Sequence, residues 1–188
     1  TRSFKRYALR MLLFAVLSEV PFDLMYGGTV FYPVHQNVIW TLLLGLLGIR
    51  LMEAARAKGK RWLYILTCAA VVVLGFALGT LGMVDYYGAG VLTVFAFYFF
   101  RERKWWCLLG QLAALYWLNV VVLGGQMYPV TLFGREIELC EQGLALLALG
   151  PIWLYRGRQG HHSKAFQYAC YAFYPAHMLV LALLTMIQ

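Results

Sequence analysis

In a chain with only 13% charged residues, Glu19, Asp23, His35 and His177 stand out because each falls in or beside a long apolar run. Carboxylates and imidazoles can accept and return protons, which suits general acid–base catalysis or a proton-coupled relay through a membrane. Gln36, Asn37, Thr41 and Tyr174 lie close to them in sequence and supply neutral donors. Such groups can orient a substrate or hold a developing oxyanion. A second set is cationic: Arg2, Arg6, Arg10 and Arg50 present guanidinium groups suited to phosphate. Each residue also has a plainer role. Arg10 and Arg50 could snorkel to lipid headgroups, Glu19 and Asp23 could sit at a helix end in the headgroup zone, and His177 could be a hydrogen-bonded packing residue.

The elements that must carry these residues are apolar helices. Hydrophobic residues make up 62% of the 188, whereas soluble domains carry about 25% charged residues. Runs at 7–25, 62–83, 105–123, 139–155 and 165–187 have lengths near the ~20 residues of a membrane span. Two shorter runs occupy 38–52 and 86–100. The gaps between runs alternate in charge. Of the 16 Lys and Arg residues, only Arg135 falls in the outer gaps, and of the 8 Asp and Glu residues, only Glu53 and Glu102 fall on the inner side. Lysine and arginine are retained on the cytoplasmic side. The expected fold is therefore all-α: a single polytopic bundle over residues 1–188, with seven transmembrane helices, the N-terminus inside and the C-terminus outside.

The sorting also excludes classes. A soluble helical core does not generate sided charge, and a β-barrel needs period-two alternation that these runs lack. The net charge of +8 belongs to an inner face meeting anionic lipid, so it does not indicate nucleic acid. Cys68, Cys107, Cys140 and Cys170 have no paired spacing for a metal, and His161 next to His162 lacks helix-face metal geometry. Gly75, Gly79 and Gly82 give close helix packing. Pro21 and Pro175 interrupt hydrogen-bond ladders near Glu19 and His177. Because the chain opens at Thr1 within a basic stretch, a fragment lacking its N-terminal part is expected.

Specific stretches resemble one family. Arg6-Tyr7-Ala8-Leu9-Arg10-Met11-Leu12-Leu13-Phe14-Ala15, continued by Ser18-Glu19-Val20-Pro21-Phe22-Asp23-Leu24, looks like the TraX family. So do Gln36-Asn37-Val38 with Thr41-Leu42 and Gly45-Leu46, and Tyr174-Pro175-Ala176-His177. The resemblance spans nearly the whole chain. It implies a multi-pass protein of the bacterial inner membrane, associated with conjugation, that N-acetylates a pilin subunit. It also implies acetyl-CoA as donor and about two further helices before Thr1, the first bearing an Asp-His pair that has no counterpart here. On this reading Arg10, Arg6, Arg2 and Arg50 meet the CoA phosphates. Glu19, His177, Asp23 and His35 supply the acid–base groups, and Gln36, Asn37, Tyr174 and Thr41 bind substrate.

The residues alone leave two other readings open: a transporter or flippase with a Glu/His relay, and a non-catalytic scaffold for envelope or pilus assembly. Membrane lipid is an expected partner in all three. The topology has a direct test. Cysteines placed at Gly27 and Gly134 should react with an impermeant thiol reagent from outside, and those at Lys58 and Arg158 only from inside. Labelling of position 58 from outside would invert the arrangement.

Overall fold

The computed structural model describes residues 3–132, 134–155, 157, 160 and 163–187. Among the described residues, seven α-helices form in chain order: α1 (Phe4–Gly27), α2 (Val38–Ala57), α3 (Arg61–Leu81), α4 (Tyr87–Phe99), α5 (Trp105–Leu115), α6 (Leu149–Leu154) and α7 (Lys164–Ile187). Local chemistry sets several of the ends. Ser3 caps α1 by accepting the Arg6 amide, and Asn37 caps α2 by accepting the Ile39 amide at 3.0 Å. Gly28 closes α1 in the left-handed region at φ 65°, where a Cβ would be strained. Pro21 and Pro175 lie inside continuous helices. Each removes one ladder donor without ending its helix.

The chain divides into two compact units, with the boundary inside α4. In the first, residues 1–91 and 159–188, α1 packs along α7 and α2, and α2 packs along α3. The first and last helices are therefore neighbours. Arg50, late in α2, lies over the Phe4 ring at the start of α1, at 5.4 Å. Asn37, at the start of α2, reaches the Ala15 carbonyl in mid-α1. Helices α1 and α2 are thus antiparallel, and α2 starts level with the middle of its neighbour. Helix α3 approaches the next turn closely: a Cβ on Gly79 would lie 2.9 Å from the Tyr87 carbonyl oxygen.

In the second unit, residues 92–158, α5 continues as a π-helix over Tyr116–Leu123. A β-hairpin follows, β1 (Met127–Leu132) paired antiparallel with β2 (Arg135–Cys140). Gln111 is buried and joins two segments: it donates to the Phe100 carbonyl at 2.8 Å and accepts from the Trp153 indole at 2.6 Å.

Among the described residues, four helical segments are long and apolar enough to cross a membrane: Val38–Ala57, Arg61–Leu81, Trp105–Leu123 and Lys164–Met186. The expected second run, 38–52, thus extends to full length. Helix α1 has the length but carries Arg10, Glu19 and Asp23 within it. Helix α4 has 13 residues, too few to span ~30 Å at 1.5 Å each. The expected run at 139–155 begins at the end of β2, passes through a 3-10 helix (Glu141–Ala148) and ends in the six-residue α6. The hairpin is the departure from an all-helical chain, since β-branched Val130, Thr131 and Ile137 favour extended backbone there. Many leucines and valines of α1, α3 and α7 are exposed, as faces in contact with lipid would be.

Candidate functional site

The polar residues of the first unit gather where the α1–α2 connection meets the α3–α4 turn. Asn37 is the centre. Its side chain is 0% exposed, and Nδ2 donates to the Ala15 carbonyl at 2.8 Å and to Glu19 Oε2. Oδ1 takes the Ile39 amide. Both amide protons are therefore committed. The structure makes Asn37 a positioning group, with no side-chain donor left for a substrate. Glu19 also accepts from the Trp40 indole at 2.8 Å and the Asn37 amide at 3.4 Å. Trp40 and Asn37 are three residues apart, so both face the same strip of α1.

Asp23 and His35 are 2% and 8% exposed. Asp23 Oδ2 accepts the Tyr32 amide at 2.9 Å, which folds the connection back over the end of α1. His35 Nε2 pairs with Asp85 Oδ1 at 3.3 Å. Its ring stacks on Phe22 and Tyr26 and meets Tyr87 edge-on. Asp85 is held from the other side, because the Thr41 hydroxyl donates to its carbonyl at 2.7 Å. The turn around it has Met83, Tyr86 and Tyr87 at positive φ, a costly conformation that needs outside support. Support comes from the Gln36 amide, which donates to the Met83 carbonyl at 2.9 Å. Gln36 uses its side chain on the Pro33 carbonyl.

The last helix contributes Tyr174. Its hydroxyl is buried without a hydrogen bond of normal geometry, near the Val38 amide and within electrostatic reach of Glu19 and Asp85. Tyr174 and Arg10 line one cavity of about 270 Å³ between α1, α2 and α7, together with Tyr7, Phe14 and Val38. His177, one turn beyond Tyr174, pairs Nδ1 with the Phe173 carbonyl at 3.0 Å and stacks on the Phe173 ring. The hydrogen-bond partners of Glu19 are Asn37 and Trp40, which tie it to the start of α2. Arg6 and Arg10 are exposed on α1, Arg50 sits over Phe4, and Arg2 lies outside the described residues, as do His161 and His162.

Three participants carried no sequence signal strong enough to single out: Trp40, Asp85 and the aromatic rings around His35. For Trp40 the signal was its spacing from Asn37. Asp85 was visible only as the one charge of its loop.

The family model described as "TraX protein" matches residues 1–185. The chain belongs to the TraX family. No curated protein and no solved structure matches it. A TraX-family chain with four helices of spanning length is a membrane protein.

Burial raises the Asp85 pKa above its ordinary value, opposed by the hydrogen bond and charge of His35. A raised acid favours the folded state while protonated. The stability it adds is full below the ordinary carboxylate range and is lost as pH rises through the raised value. Melting temperatures of purified protein in detergent should therefore fall, relative to Asp85→Asn, as pH climbs out of the acidic range. Parallel curves for the two proteins would contradict this balance of burial over pairing.

Proposed function

We propose that this TraX-family protein is an integral membrane acyltransferase. It takes acetyl from cytosolic acetyl-CoA and passes it to an N-terminal amine, or a similar nucleophile, at the far face of a bacterial inner membrane. One observation carries the reading: Arg10 and Tyr174 line the same cavity, directly beneath the network that fixes Glu19. Helix α1 alone spans the distance between the ends of the reaction path, because Arg10 and Glu19 are nine residues, or about 13 Å, apart. A cavity of about 270 Å³ suits a thioester-bearing arm, not a whole nucleotide. The CoA phosphates would stay with Arg6, Arg10 and Arg50 at the inner end, where the guanidinium fork matches their oxygens. An N-terminus-inside orientation, as the sided charges of the connecting segments suggest, would give this path its direction.

The chemistry follows from the remaining hydrogen-bond capacity. A carboxylate offers about four acceptor positions, and Glu19 uses three of them on Asn37 and Trp40. The fourth can take the proton that an attacking ammonium must lose. The amine nitrogen then bonds to the thioester carbonyl carbon, and the oxyanion accepts a hydrogen bond from the Tyr174 hydroxyl. The nitrogen, which still carries two hydrogens after attack, releases one to bulk water. Collapse then breaks the C–S bond, and the proton held by Glu19 passes to the departing thiolate, leaving a neutral amide and a thiol. His177 is a second acceptor: with Nδ1 donating to Phe173, a neutral ring carries its lone pair on Nε2. The exported acceptor is a pilin or another peptide presented on the outer side.

Reconstituted protein assayed with labelled acetyl-CoA and an acceptor peptide tests the scheme. Glu19→Gln keeps the shape and should lower turnover about 10²- to 10⁴-fold, the range for losing a positioned base. Arg10→Ala should instead raise the KM for acetyl-CoA about tenfold or more with turnover retained. Full activity of Glu19→Gln would remove it from the reaction.

A further inference from the structure

A second cavity, of about 480 Å³, lies between α2 and α3 at the end opposite the polar cluster. Its lining is mainly aliphatic: Leu51 and Ala55 from α2, and Leu63, Ala70, Val71 and Leu74 from α3. Lys58 stands at its mouth. From Leu63 to Leu74 the groove follows α3 for about 16 Å. That length matches one leaflet, half of the ~30 Å hydrocarbon core. Four cations crowd the connection above it, Arg56, Lys58, Lys60 and Arg61, with Gly59 at φ 70° making the tight turn. Trp62 follows at 61% exposure, an aromatic ring suited to the headgroup level.

We propose that this groove is a specific site for an anionic phospholipid, with one acyl chain along Leu63–Leu74 and the phosphate headgroup on Lys58, Lys60 and Arg61. Groove length and charge select the occupant together. An acyl chain fills an apolar slot one leaflet deep, and each juxtamembrane cation favours an anionic headgroup over a zwitterionic one by about fivefold. A free cytosolic anion would satisfy the cations but leave the apolar groove unexplained. A second copy of the chain would do the reverse. The site is independent of the acetyl-transfer reading.

Native mass spectrometry of the full chain in detergent, titrated with phosphatidylglycerol or phosphatidylcholine of identical acyl chains, reads the site directly. Phosphatidylglycerol should be retained at least tenfold more strongly. Exchanging Lys58, Lys60 and Arg61 for Gln should erase that preference, and Lys58→Gln alone should reduce it about fivefold. Ala70→Trp fills the groove from an exposed position, so it should weaken both lipids while leaving the melting temperature unchanged. Equal retention of the two lipids by the unaltered protein would overturn the proposal, as would a preference that survives loss of the cations. Binding unaffected by Ala70→Trp, displacement of the lipid by inorganic phosphate or acetyl-CoA at equal concentration, or a lipid-insensitive dimer abolished by Ala70→Trp would overturn it too.

Discussion

Asn37 joins two helices through three hydrogen bonds at a fully buried position, where water cannot substitute for a missing partner. Its amide satisfies the Ala15 carbonyl of α1, its second proton holds Glu19, and its oxygen begins α2. An unpaired polar group in a membrane interior costs several kcal/mol. Asn37 therefore fixes where α2 starts relative to α1. That single level sets the rest of the first unit. It brings Trp40 onto Glu19, Arg50 over Phe4 and Thr41 under the Asp85 turn. It also leaves the connection from Gly28 to Gln36 folded back over the end of α1, tied there by the Tyr32 amide on Asp23 and by the buried His35.

The same logic explains the strained turn at residues 83–87. Positive φ at three non-glycine residues is unfavourable in isolation. Here the conformation is held by Gln36, His35 and Thr41, each reaching across from the α1–α2 connection or the start of α2. What the turn achieves is placement: Asp85 faces a histidine packed among Phe22, Tyr26 and Tyr87. Support and strain thus come from different parts of the chain, and neither connection would keep its shape without the other.

Much of this was legible in the sequence. Polar residues in an apolar chain announce themselves by their cost, which is why Glu19, Asp23, His35 and Asn37 could be singled out before any fold was known. The helical character of the runs at 7–25, 38–52, 62–83 and 165–187 agrees with that reading. Partner choice was not legible. That Glu19 takes its hydrogen bonds from Asn37 and Trp40 depends on the depth at which α2 begins, which no local pattern encodes. The hairpin at 127–140 was hidden because its charged second strand, with Arg135, Glu136 and Glu138, reads equally well as a connecting segment between apolar runs. The spanning status of 139–155 depended on an unbroken helix, whereas its first part is a tighter 3-10 turn ahead of Gly150 and Pro151.

The most direct test of the account is a double-mutant cycle between Asn37 and Glu19, read as unfolding free energy in detergent micelles. Asn37→Ala, Glu19→Gln and the double variant complete the cycle. If the buried amide–carboxylate contact organises the bundle, the two single effects should be non-additive by about 0.5–3 kcal/mol, the range for residues in one hydrogen-bond network. Strict additivity would mean that the two side chains act independently. The level at which α2 begins would then be set by something other than Asn37.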